Sequence, residues 1–151
     1  MNVGDAVPDF TLPDQYGAER TLSAMLRDGP VVLFFYPAAM TTGCTRESCH
    51  FRDLASEFKA AGAQRVGISM DDVQRQATFT AANRLDIPLL ADVDGHVAKA
   101  FAVKRPLALL KVKRTTFVIT PEQRIAAIIT SELNMDAHAD RALAVLGSPT
   151  T

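Results

Sequence analysis

Residues 31–53 read VVLFFYPAAMTTGCTRESCHFRD. The first six are β-branched, leucine or aromatic without a break, and Pro30 and Pro37 bound them. A run too apolar to alternate is expected as a strand buried on both faces. Both cysteines of the chain, Cys44 and Cys49, follow after a short loop. Beyond them Phe51, Leu54, Ala55 and Phe58 recur at helical spacing up to Gly62, which predicts a helix from Thr42 to Ala61. A buried strand, a tight loop and a helix N-terminus therefore converge on Cys44.

The flanking sequence extends this pattern. Residues 8–21 alternate weakly around Gln15-Tyr16-Gly17, as in a short hairpin. Residues 65–70 form the next strand, and Asp71 or Asp72 can cap a helix reaching about Leu85. A short strand over 87–91 and an Asp94-Gly95 turn lead into a helix over 96–102. Strands over 115–119 and 125–129 are joined by a turn containing Pro121, and a last helix covers 136–146. With no internal repeat and no linker, residues 1–151 are expected to make one α/β domain, a mixed central sheet flanked by helices.

Charge narrows the function classes. Sixteen Lys and Arg against seventeen Asp and Glu leave a formal net charge of −1. Neither nucleic acid nor an anionic membrane would attract such a chain. The start, Met1-Asn2-Val3-Gly4-Asp5, lacks the basic and apolar regions of a signal peptide. The apolar run 31–36 falls far short of the roughly 20 residues that span a bilayer. A cytoplasmic location is the expectation, and there a pair of cysteines argues for chemistry or metal rather than a structural staple.

Cys44 falls in the first turn of its helix, where free N–H groups and the dipole favour an anion such as a thiolate. Cys49 lies five residues on in the same helix. Helical geometry sets such Cα atoms about 8–9 Å apart, whereas a disulfide needs roughly 4.4–6.8 Å. If the two pair, the helix must open. On spacing alone they could equally be two inert buried residues.

The surrounding motif adds more. Pro37, Thr41 and Cys44 stand as P-x-x-x-T-x-x-C, which resembles the active-site signature of peroxiredoxins. The stretch 43–53, GCTRESCHFRD, resembles the G-C-T-x-E-x-C-x-F-R-D element of the peroxiredoxin Q / bacterioferritin comigratory branch. Outside it, 3–12, 31–37, 67–69, 89–92 and 114–119 (RTTFVI) are also similar to that branch, so the resemblance covers nearly the whole chain. It implies a thioredoxin-like fold and a thiol-dependent peroxidase acting on hydrogen peroxide and organic hydroperoxides. Cys44 would be the peroxidatic nucleophile and pass through a sulfenic acid. Cys49 would resolve it as an intrachain disulfide, reopened by thioredoxin or a similar dithiol. Thr41 would offer its hydroxyl, and Gly43 and Cys44 their main-chain N–H groups, to the thiolate or peroxide. Arg114 would hold both with its fork of donors, Glu47 would orient Arg114, and Pro37 would shield the sulfur. The resemblance implies no cofactor and no metal, and a monomer or weak homodimer.

Other readings of the same residues compete. Thr41 could simply cap the helix, Arg114 could be one of a solvated basic cluster with Lys111 and Lys113, and Glu47 an ordinary first-turn carboxylate. Arg52 and Asp53 read as structural. His50, His96 and His138 share no metal spacing and read as ordinary. A thiol–disulfide oxidoreductase would use C-x-x-C and need no Thr41–Arg114 pair. A copper carrier would draw His138 to the two cysteines. Two departures from the branch stand out: the loop 38–42 (AAMTT) is apolar at its first three positions and lacks a proline before Gly43, and Pro106-Leu107-Ala108-Leu109-Leu110 is unusually apolar. The latter is read either as a packed segment or as a patch for a hydrophobic peroxide or another subunit.

Overall fold

The computed structural model describes residues 1–105 and 112–147. The apolar segment 106–110 lies outside the described residues. Strands β1 (Thr11–Pro13) and β2 (Glu19–Thr21) form the N-terminal hairpin, and α1 (Leu22–Met25) follows. Then come β3 (Val31–Phe35), α2 (Thr42–Asp53), α3 (Ala55–Ala60), β4 (Gln64–Ser69), α4 (Val73–Asn83), β5 (Leu89–Ala91) and α5 (His96–Ala100). The chain closes with β6 (Thr115–Ile119), β7 (Ile125–Thr130) and α6 (Asp136–Gly147).

The continuous apolar run becomes the central strand. The main sheet has the order β5-β4-β3-β6-β7, with β3, β4 and β5 parallel and β6 and β7 antiparallel to their neighbours. Every residue of β3 is buried, as a strand covered on both faces requires. Its odd residues, Val31, Leu33 and Phe35, pack with Phe101 and Phe117 on one face. The even ones, Val32 and Phe34, pack with Tyr36, Phe51, Phe58 and Phe79 on the other.

Phe51 fixes α2 to the sheet. Its ring stacks on Phe34 at 4.2 Å and 9°, and touches Phe58 of α3 at 5.6 Å. Truncating such a ring to alanine costs about 3–5 kcal/mol. The single helix expected over 42–61 is in fact bent at Leu54 (φ −95°, ψ 21°). Leu54 N–H still donates to the His50 carbonyl at 3.2 Å, and Phe58 N–H to that of Leu54 at 3.0 Å. Because hydrogen bonding continues through the bend, the apolar spacing carries no mark of it.

Register delivers Arg114 to the cysteine. Antiparallel pairing sets Phe35 opposite Thr115, so β6 begins where β3 ends. Arg114 therefore stands beside the loop that leads into α2. This is also the carboxyl edge of the parallel strands, where open α/β sheets place their sites. No helix among the described residues is long and apolar enough to cross a membrane.

Candidate active site

Cys44 is the third residue of α2, with Thr41 as N-cap. The first intrahelical bond runs from Thr45 N–H to the Thr41 carbonyl at 2.9 Å. The N–H groups of Thr42, Gly43 and Cys44 thus precede any intrahelical acceptor and face the helix entrance. Cys44 itself is fully buried, and Pro37 is buried as well.

Arg114 joins the sulfur to a carboxyl. Its Nη2–H donates to Cys44 Sγ at 3.1 Å, and its Nη1–H to Glu47 Oε1 at 2.7 Å. One planar guanidinium thereby holds two groups a helical turn apart. Burial works against the Arg114 charge, but Glu47 and Cys44 outweigh it and raise its pKa further. Glu47 is completely enclosed, and burial pushes its carboxyl up to about 8 despite Arg114. The solvated-cluster reading of Arg114 and the first-turn-carboxylate reading of Glu47 both fail on this geometry.

Gly43 permits the close approach. A Cβ there would lie 3.3 Å from Arg114 Nη2 and 3.4 Å from Met135 Sδ. The loop ahead of it is held by a residue whose role the sequence did not suggest. Asp71 Oδ2 accepts the Ala39 N–H at 2.7 Å and the Ser69 hydroxyl at 2.6 Å. Gln76 extends this network, donating to Ser69 Oγ and accepting from the Tyr36 hydroxyl. It is Asp72, not Asp71, that caps α4, accepting from Arg75 N–H at 2.8 Å. Met40, at φ 70° and half exposed, lies in this loop, which has no proline directly before Gly43.

Thr41 faces differently from expectation. Its hydroxyl donates to the Ala38 carbonyl at 2.9 Å and makes no capping bond to α2. With its proton so committed, the oxygen's lone pairs are left to accept from an incoming O–H.

Cys49 looks elsewhere. It is partly buried, and its thiol points at Asn83 Oδ1, 3.7 Å away at the end of α4. Arg52 closes the same corner by donating to the Asn83 carbonyl at 2.6 Å. Both cysteines are free, and α2 is unbroken between them.

The side of α2 nearest α6 carries contacts invisible in the sequence. Arg46 pairs with Asp136 at 3.1 Å, His50 with Asp140 at 2.7 Å, and Glu47 Oε2 lies 3.5 Å from His138 Nδ1. His138 is buried, its nitrogens bonded to Thr116 Oγ1 and the Ser131 carbonyl, each at 2.8 Å. Those partners are not the cysteines a copper carrier would need. Glu132 accepts from Arg114 N–H at 3.3 Å and from Arg105 at 2.6 Å, tying the start of β6 to the loop after β7. Among the described residues, the one group close enough to share a cation is Asp92, Asp94 and His96, and the Asp92 carboxylate already serves the N–H groups of Val97 and Ala98.

Residues 3–128 match the AhpC/TSA family. The chain belongs to that family. The crystal structure of the peroxidoxin BcpB of Mycobacterium tuberculosis is 60% identical, covers 97% of this chain and 96% of its own, and superposes with a TM-score of 0.93. The bacterioferritin comigratory protein of Xanthomonas campestris is 30% identical over 94% of this chain and 97% of its own, with a TM-score of 0.84. A chloroplastic peroxiredoxin Q of Populus jackii is 38% identical over 98% of this chain and 69% of its own. The AhpC/TSA chain described here thus sits in the peroxiredoxin Q / bacterioferritin comigratory branch, with the thioredoxin-like fold of that group. Membership makes it a peroxiredoxin, a peroxidase of the oxidoreductase class.

Proposed function

We propose that this peroxiredoxin reduces hydrogen peroxide and organic hydroperoxides with Cys44 as the attacking thiolate and Cys49 as the resolving thiol. The observation that carries the reading is the 3.1 Å bond from Arg114 to Cys44 Sγ, made by a guanidinium anchored on Glu47. A buried sulfur beside a permanent cation and a helix N-terminus is a place for an anion. The Cys44 thiolate attacks the terminal oxygen of the hydroperoxide, the O–O bond breaks, and sulfur becomes a sulfenic acid. The departing alkoxide or hydroxide takes up a proton as alcohol or water. Arg114 and the free N–H groups of Gly43 and Cys44 stabilise the oxygen charge in transit. Thr41 Oγ accepts from the peroxide O–H, and Pro37 keeps water off the sulfur.

In the second half-reaction the Cys49 thiol attacks the sulfenic sulfur, an S–S bond forms and water leaves. A thioredoxin-type dithiol then reduces that disulfide and is itself oxidised. The alkyl peroxide reduction activity of the Xanthomonas campestris relative supports the organic substrates.

Mass spectrometry after one equivalent of peroxide tests this. The wild type should lose two hydrogens, the Cys49→Ser protein should gain one oxygen, and a dithiol should restore the wild-type mass. An unchanged wild-type mass, with the peroxide unconsumed, would overturn it.

A further inference from the structure

Glu47 Oε2 is buried and has no hydrogen-bond partner among the described residues, although its sister oxygen holds Arg114. What faces it is His138 Nδ1 at 3.5 Å, on a residue read from sequence as ordinary. The tautomer of His138 follows from its other contacts. The Ser131 carbonyl can only accept, so Nε2 carries a hydrogen and donates to it. In a neutral ring Nδ1 is then one lone pair, which the Thr116 hydroxyl at 2.8 Å can fill or, by rotating, leave open to a proton from Glu47; if Nδ1 is itself protonated, that hydroxyl accepts instead. An ionised Glu47 would bring a second lone pair against it, inside a protein interior where neither is solvated. One proton between the two atoms removes that conflict.

We propose that Glu47 and His138 act as a pair holding a single shared proton, and that His138 is a positioning residue for the Arg114–Cys44 contact. Whether the proton rests on Glu47 Oε2 or on His138 Nδ1, the pair is neutral overall. This sets the charge of the buried cluster. The Cys44 thiolate and Arg114 then balance each other, and the guanidinium's attraction is directed to sulfur and peroxide. Loss of the shared proton adds an uncompensated negative charge beside Arg114, drawing the cation towards Glu47 and weakening its hold on the oxygen anion that leaves. The charged or titratable groups facing the pair are Arg114, Cys44 and Glu132, with Arg141 on α6 itself. The burial that raises the Glu47 pKa and lowers that of His138 accords with a proton resting mainly on the carboxyl.

The inference rests on Cys44 as the reacting thiolate only for its kinetic consequence; the proton count itself is independent of that reading. In the unmodified protein, nitrogen-15 shifts of His138 and the carbon-13 shift of the Glu47 carboxyl report the proton directly. At pH 7 the expected result is a protonated Nε2 with one proton in total on Nδ1 and Glu47. An ionised Glu47 facing an unprotonated Nδ1, or protons on both, would overturn the pair. The kinetic arm follows the first-turnover peroxide rate from pH 6 to 9. Wild type should fall on the alkaline side as the pair loses its proton. Asn in His138→Asn can donate an N–H near the Nδ1 position and so stabilise ionised Glu47. That variant should move the alkaline fall down by about one pH unit, which slows the reaction about twofold at pH 7 and about tenfold at pH 9. A folded His138→Asn protein with the wild-type profile would show that His138 only fills space. If instead Cys44→Ser kept the peroxide rate, the peroxidase assignment would fail while the resonance result still decided the pair.

Discussion

Arg114 Nη2 lies 3.1 Å from Cys44 Sγ although 70 residues separate them in the chain. The contact exists because β6 runs antiparallel to β3 and starts where the cysteine loop begins. Both nitrogens of the fork are occupied, one on sulfur and one on Glu47. An ammonium can supply charge there but not both directions at once. Arg114→Lys should therefore slow the peroxide step tenfold or more, about 1.4 kcal/mol of transition-state stabilisation. Stopped-flow rates of the first turnover check this, and a lysine variant at the wild-type rate would make Arg114 a mere source of positive field.

The two cysteines should fail differently. Cys44 meets Arg114, while Cys49 meets Asn83. Cys44→Ser should abolish peroxide consumption. Cys49→Ser should consume about one equivalent per chain and stop as a sulfenic acid until a small thiol rescues it. Equal loss of the first turnover in both variants would contradict the division of roles.

Asp71 gives a prediction of a different kind, since it touches no reacting atom. Asp71→Ala removes the acceptor of the N–H of Ala39, a residue 1% exposed, and of the Ser69 hydroxyl. An unsatisfied buried donor costs about 1–3 kcal/mol. Denaturant unfolding should show a loss of that size, together with a slower peroxide step, because the loop that carries Pro37 and Thr41 is no longer pinned. Unchanged stability and rate together would remove Asp71 from the site's support.

These residues show how far the chain could be read before its fold was known. Cys44 on a helix N-terminus was legible because the apolar run 31–36, the loop and the helical spacing are all local signals. Arg114 was legible from the motif it opens. Asp71 was not, because an aspartate before a helix looks like a cap, and its neighbour Asp72 does that work. His138 was opaque for another reason. A lone histidine on an amphipathic helix carries no local signal, and only the packing of α6 on α2 brings it to Glu47. The Thr41 hydroxyl turned to Ala38 because main-chain geometry in the loop, with Met40 at φ 70°, sets its direction.

The enclosed Glu47 makes the integrity of α2 depend on pH. Its pKa is raised by burial to about 8 in the helical state, and it returns to the ordinary carboxylate range of about 4.3 when α2 opens to water. The opened state thus binds fewer protons across that window. The contribution of Glu47 to keeping α2 closed is full below the ordinary value and is lost as pH rises through about 8. Amide protection over 45–50 in the reduced protein, corrected for intrinsic exchange, should therefore fall between pH 5 and 8.5. In Glu47→Gln the fall should vanish. A pH-independent wild-type protection would mean that Glu47 keeps its ordinary range inside the helix.

Oxidation should open the same segment. Cys44 and Cys49 stand on one intact helix, directed to different neighbours, at a spacing that puts their Cα atoms about 8–9 Å apart. A disulfide needs roughly 4.4–6.8 Å, so the first two turns of α2 must unwind before the bond closes. The break has a natural limit. Phe51 is stacked on Phe34, and its carbonyl accepts from Arg65 at 2.9 Å, which holds the end of α2 to the sheet. Unwinding from Thr42 to about His50 parts Arg46 from Asp136, Glu47 from Arg114 and His50 from Asp140, and presents the disulfide to a reductant. Hydrogen exchange over 42–50 should accelerate on oxidation, with β3 and β6 unchanged. Equal protection of that segment in a sample shown by mass to be fully disulfide-bonded within one chain would mean that the two sulfurs meet without unwinding, and would overturn the placing of both cysteines on one intact helix.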